Sequence, residues 1–113
     1  AGSDNGYTGF TIRNGDRSKI WLPAMFNNPA FIAMLKEKMR VIAANEAEIM
    51  AFIDKRHQEL KKSALHNDRR WYLMCPYGSS NETILNAYGS QITYIKEWLH
   101  GRIQWLATNI EAL

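Results

Sequence analysis

The sequence predicts a mainly α fold. The expected form is an antiparallel helical bundle of three main helices plus one short helix, with an irregular or short-strand N-terminal segment. Two observations lead there. From Ser18 onward, apolar residues recur at helical spacing, and the breaks between stretches carry helix-cap signals. Ahead of that point, residues 1–17 hold four of the seven glycines, interleaved with Ser, Asp, Asn and Thr. Such a composition favours turns over helix.

The elements follow in order. Tyr7 to Ile12 could form a short strand, but the chain offers it no pairing partner, and a lone strand is marginal in water. It reads as a strand or loop cut away from a sheet upstream. The chain opens at Ala1 without methionine, which reads as a cut inside a longer polypeptide. Ser18 can cap a short helix with Ile20, Trp21, Leu22, Met25 and Phe26, in which Pro23 fits only in the first turn. Asn28 is a good N-cap for the next helix. Pro29 then occupies the first helical position, where its missing N–H does no harm. Phe31, Leu35, Met39 and Ile42 step along its apolar side. Asn45, with Glu48 three residues on, resembles a capping box for the third helix. Its predicted buried stripe is Ile49, Phe52, Ile53, Leu60 and Ala64, running to about Asn67. Residues 72–80 contain Pro76 and Gly78 and read as a loop. Ser79 with Glu82 is a second capping box, opening a helix of about 27 residues, or roughly 40 Å. Leu85, Tyr88, Ile92, Ile95, Leu99 and Leu106 form its seam. Arg102 interrupts that seam, with Ile103 sharing its place.

Bulk properties bound the function. The chain has 113 residues, enough for one domain, with 46% hydrophobic and 22% charged residues, an ordinary globular balance. A net charge of +3 is too mild to imply nucleic acid. No apolar run approaches the roughly 20 residues that span a bilayer. The single cysteine, Cys75, cannot form an internal disulfide.

The candidate chemical groups mostly have structural explanations. Neither G-x-x-x-x-G-K-[ST] nor G-x-G-x-x-G is present, so no phosphate-cradling loop is visible. His57 and His66 sit nine apart on one helix and point to opposite faces, and no C-x-x-C or H-x-x-x-H appears. Asp54 and His57 are close enough to meet on a helix surface, but Ser63 faces away from that carboxylate. Lys61, Lys62, Arg69, Arg70, Trp71 and Tyr72 make a basic-aromatic cluster. The simplest reading makes Trp71 a packed plug and the charges partners of the helix dipole. Arg102 needs carboxylates or carbonyls if buried, with Glu48, Asp54 and Glu59 as candidate partners. Trp98 and Trp105 lie seven apart and share a flank suited to a neighbouring element. Gly89 and Gly101 cost helix stability and could admit close approach of another element.

Three stretches resemble the CotH spore-coat kinase family. WLPAMFNNPAF, from Trp21 to Phe31, looks like its W-x-x-x-L-x-x-D-P-x-F helix-turn-helix, with Asn28 in place of the acidic residue. IDKRHQELKKSALHNDRRW, from Ile53 to Trp71, is similar to its I-D-x-x-x-x-x-L-x-x-S-x-x-x-N-x-x-R-W. ITYIKEWLHGRIQWL, from Ile92 to Leu106, resembles its closing L-K-x-W-x-x-x-R-I-x-W-L helix.

The resemblance implies a parent protein that is an atypical kinase. It would use ATP with magnesium or manganese and phosphorylate protein hydroxyls in an extracytoplasmic, secreted or coat setting. The family's metal-binding aspartates precede the helical region. Residues 1–17 would then be the remnant of an upstream catalytic domain, with Asp4 and Asn5 at the edge of its metal site. Residues 18–113 would be the helical C-terminal subdomain, carrying no catalytic residue and binding no cofactor alone. Trp21, Trp98 and Trp105 are the candidates for its contact with the catalytic core, and it could help dock the protein substrate. Asn28, Pro29, Trp71 and Arg102 are the expected structural positions. No nucleic acid or membrane partner is expected, and a dimer that hides aromatic surface is left open. The alternative is a stand-alone helical protein–protein interaction module.

Overall fold

A computed structural model of the chain describes residues 6–9 and 21–113. The fold is mainly helical, as the sequence predicts. Its helices are α1 (Trp21–Met25), α2 (Pro29–Ala44), α3 (Glu46–Trp71) and α4 (Asn81–Glu111), and no strand occurs among the described residues. Residues 7–9 form bends, and residues 10–12 of the expected strand lie outside the described residues, as does Ser18. The chain falls into two compact units. One contains Ala1–Glu46 with Trp98–Leu113, the other Ala47–Glu97.

In the first unit, local chemistry sets the helix ends. Pro23 lies in the first turn of α1, and Phe26 and Asn27 close that helix by donating to the carbonyls of Pro23 and Ala24. Asn28 adopts an extended backbone, and its Oδ1 accepts the Ala30 N–H at 2.9 Å, with Pro29 following as predicted. The Phe26 and Phe31 rings meet edge to face at 5.5 Å across this junction. Met39, Ile103 and Ile110 are the buried apolar side chains of this unit. Arg40 grips Glu111 with two hydrogen bonds of 2.6 and 2.9 Å, while Glu46 meets His100 and Gln104. Ascending partners on one side thus match descending partners on α4, which makes the packing antiparallel.

Asn45 departs from its expected role. Its side-chain amide donates back to the Val41 carbonyl at 2.8 Å, and its backbone N–H also turns to Val41 and Ile42. It therefore closes α2 rather than opening α3 in a capping box. An amide nitrogen is a donor, and the free carbonyls at a helix end need donors.

The second unit is a helical hairpin. Asp54 pairs with Lys96 at 2.7 Å, His57 stacks edge-on against Tyr88 at 4.9 Å, and Arg69 meets Asn81. The order of these pairs again fixes an antiparallel arrangement. Residues Ile49, Ile53, Ala64 and Leu65 are half-buried, but Phe52 is 57% exposed and Leu60 50%. The packed row steps by fours through Ile53, His57, Lys61, Ala64 or Leu65, and Asp68. Its polar members disguise it, and the predicted stripe was drawn one flank away. α3 also continues to Trp71, past the predicted end near Asn67.

The loop 72–80 folds back on the hairpin. Tyr72 takes a left-handed backbone, φ 49°, and donates its N–H to the Asp68 carbonyl at 2.7 Å. This is the closing geometry in which helices usually place glycine. Cys75 is buried, its thiol 3.9 Å from the Thr83 carbonyl. The α4 cap is Ser80, one residue beyond the predicted Ser79. Ser80 Oγ accepts the Thr83 N–H at 3.1 Å and pairs with the Thr83 hydroxyl at 2.9 Å. Ser79 donates instead to the Pro76 carbonyl at 2.7 Å, within the loop. No helix among the described residues is long and apolar enough to cross a membrane.

Candidate functional site

Two charged side chains are drawn in among the helices, and each organises a site. The first is Arg102. No carboxylate partners it: its Nη1 donates to the backbone carbonyls of Tyr7 at 2.9 Å and Gly9 at 2.7 Å. The expectation of Glu48, Asp54 or Glu59 is thereby corrected to carbonyls. An arginine with five donors on a long stem can reach loop carbonyls that a short side chain cannot. The Arg102 guanidinium also lies 5.4 Å from the Trp105 ring centroid, within the range of a cation–π contact. One residue back, Gly101 leaves the space that the Tyr7 ring fills. A Cβ at Gly101 would stand 3.0 Å from Tyr7 ring carbons. The approach expected at Gly101 thus has a named occupant. Together Arg102, Gly101 and Trp105 form a socket on α4 for residues 7–9.

The second is Asp68, which is 1% exposed. Its Oδ1 accepts the Met74 N–H at 2.6 Å, and its Oδ2 is buried without a hydrogen-bond partner. Asp68 lines a cavity of about 170 Å³ bounded by α3 and the loop, with Tyr72, Tyr77, Gly78 and Ser79 among its walls. Removing a charge from water costs several kcal/mol unless partners compensate, so one N–H leaves this carboxylate under-coordinated. Nothing in the sequence singled it out: Asp68 within HNDRRW looks like one more solvated charge. The visible signal was its place four residues after Ala64 on the packed row.

A wider, open groove runs along the hairpin, lined by His57, Lys61, Asn86, Ser90 and Glu97. Asp54 does not join His57 there, because it pairs with Lys96. His57 rests on Tyr88, with its Cε1 4.0 Å from the Cβ position at Gly89. No acid–base–nucleophile set forms from Asp54, His57 and Ser63.

The remaining predicted positions are distributed as follows. Asp4 and Asn5 lie outside the described residues. Among the described residues, no three His, Cys, Asp or Glu gather as metal donors. No described residue is therefore assigned to hold a metal or nucleotide. Trp21 is 66% exposed, while Trp98 is partly exposed and Trp105 half-buried. Trp71 corrects its expectation as a core plug: it is 61% exposed, and the Arg70 guanidinium lies 5.2 Å from its ring centroid. The helix ends there, and the left-handed turn at Tyr72 sends the chain away before anything covers the indole.

No protein-family model matches this chain, and no curated protein or solved structure matches it.

Proposed function

We propose that this chain is the helical C-terminal part of a CotH-like protein kinase, and that it braces the catalytic core instead of performing the chemistry. The observation that carries this reading is the socket on α4. Arg102 holds the Tyr7 and Gly9 carbonyls, and the Tyr7 ring rests against Gly101. Under the resemblance, residues 7–9 directly follow the metal-binding aspartates. A helix that fixes this segment fixes the edge of the site, and transfer of phosphate depends largely on such positioning. Trp21, Trp98 and Trp105 are the side chains offered to the core. The parent would use ATP with magnesium or manganese and act on proteins of an extracytoplasmic or coat setting, where the helical part could help dock the substrate.

The test is calorimetry with ATP and magnesium or manganese. It compares this chain with one extended upstream by about one domain, roughly 150–200 residues. Binding by the extended chain alone is the expected result. Binding by neither, or equally by both, overturns the reading.

A second reading, a helical protein–protein interaction module, has its own support. Trp21, Trp71, Leu73 and Tyr77 are large apolar or aromatic side chains left exposed, and such surface often marks interaction sites. This reading gains if the extended chain fails to bind nucleotide.

A further inference from the structure

The Asp68 cavity asks for an occupant of definite chemistry. A carboxylate offers about four lone-pair positions, and Met74 takes one of them. The nearby donors are committed elsewhere: Arg69 gives its guanidinium N–H to Asn81, and the Ser79 hydroxyl goes to Pro76. Oδ2 therefore stays buried and unanswered on the cavity wall. Two further walls are aromatic. The Tyr72 and Tyr77 rings stand nearly perpendicular, 84° apart, with centroids at 5.7 Å. Ring faces attract cations, and crossed aromatic rings beside a carboxylate suit an ammonium group.

Other ligand classes fit less well. An anion would meet the Asp68 charge. A multivalent metal needs several oxygen donors, and no group of three acidic, histidine or cysteine residues forms among the described residues. The Arg69 charge in the cavity wall opposes a second positive charge and favours a monocation held weakly.

We propose that the cavity between the end of α3 and the loop 72–80 recognises a primary alkylammonium group, with Asp68 Oδ2 accepting its N–H and the Tyr72 and Tyr77 rings flanking its charge. The source is either a lysine side chain of a protein or a free amine. The proposal does not rest on the kinase reading.

The experiment titrates n-butylammonium into the whole chain while tyrosine ring resonances are followed by NMR, with 1-butanol as the uncharged control. Saturable shifts at Tyr72 and Tyr77 are expected with the amine and not with the alcohol. Asp68→Asn keeps an oxygen for Met74 but removes the charge, and should weaken binding about tenfold or more. Tyr77 is 85% exposed, so Tyr77→Ala should leave folding intact. It should weaken binding about two- to fivefold, and it keeps the test decisive if Asp68→Asn does not fold. Nα-acetyl-lysine methylamide separates the sources: binding like butylammonium points to a protein lysine, and binding by butylammonium alone points to a free amine. The proposal is overturned by equal response to butanol, or by no response up to about 0.1 M, where a Kd near 10 mM would saturate. Binding unchanged in Tyr77→Ala overturns it too. Each of those results leaves water as the cavity's occupant.

Discussion

Arg102 and Asp68 are both charged, both drawn in among helices, and satisfied to different degrees. Arg102 has two carbonyls and an indole ring. Asp68 has one N–H and an open oxygen. The difference follows from side-chain reach. A guanidinium on a long stem can travel to its partners and keep part of itself near water. An aspartate on one methylene takes only what the backbone delivers. At α4 the partners are carbonyls of a bend at residues 7–9. At the end of α3, the loop delivers the Met74 N–H and turns its remaining donors inward on itself.

The largest effect that could break this contrast is at Asp68. Asp68→Ala orphans the Met74 N–H and opens space, and should cost about 1–3 kcal/mol in chemical denaturation. Asp68→Asn keeps the acceptor and removes the unanswered charge, so without added amine it should hold stability within about 1 kcal/mol, or raise it. Equal losses in both variants would mean that the carboxylate is already satisfied, and the contrast with Arg102 would fall.

A smaller pair of effects sharpens the Arg102 side. Arg102→Met should lower stability by about 1 kcal/mol and expose residues 6–9 to early proteolysis. Gly101→Ala should expose the same residues, because its methyl would crowd the Tyr7 ring. It should nonetheless gain up to about 1 kcal/mol in helix propensity. Opposite shifts in Tm with the same release of the segment would identify a socket for residues 7–9. Parallel shifts would make Arg102 an ordinary stabilising contact.

The smallest effect belongs to the exposed pair of Arg40 and Glu111. The hydrogen bond from Arg40 holds the Glu111 carboxyl below its usual range, and Glu111 in turn raises the already high Arg40 value. A lowered carboxyl stabilises the fold fully above the unfolded glutamate value, and that contribution fades as pH falls through the folded one. The Tm gap between the native chain and Glu111→Gln should therefore be steady near neutral pH and close in acid. It should also shrink with added salt, because exposed pairs are screened. A gap that widened in acid would contradict this pairing.

Legibility in the sequence tracked local chemistry. Asn28–Pro29 was readable because a cap and a first-turn proline leave few alternatives, and the helical class followed from spacing alone. The α4 cap slipped by one because Ser79 and Ser80 are adjacent, and each has a capping partner three residues on. The stripe of α3 was misdrawn because Phe52 and Leu60 are apolar yet exposed, while His57, Lys61 and Asp68 occupy the packed row. Hydrophobicity marks a face only when the face is apolar. Arg102 was visible as an interruption, but its partners come from some 95 residues away in sequence, a distance that spacing arguments do not cross. The Asp68 cavity was hidden for the same reason: it exists only once the loop has folded back.

Cys75 gives that loop a clock. The thiol is enclosed by the same fold-back that shelters Asp68, so a thiol reagent reaches it only when the loop lifts. If closing is fast compared with the reaction, the rate of modification is the intrinsic thiolate rate scaled by the fraction of time spent open, as in amide exchange. The lone sulfur thus converts a transient local opening into an irreversible mark that accumulates and can be counted by mass.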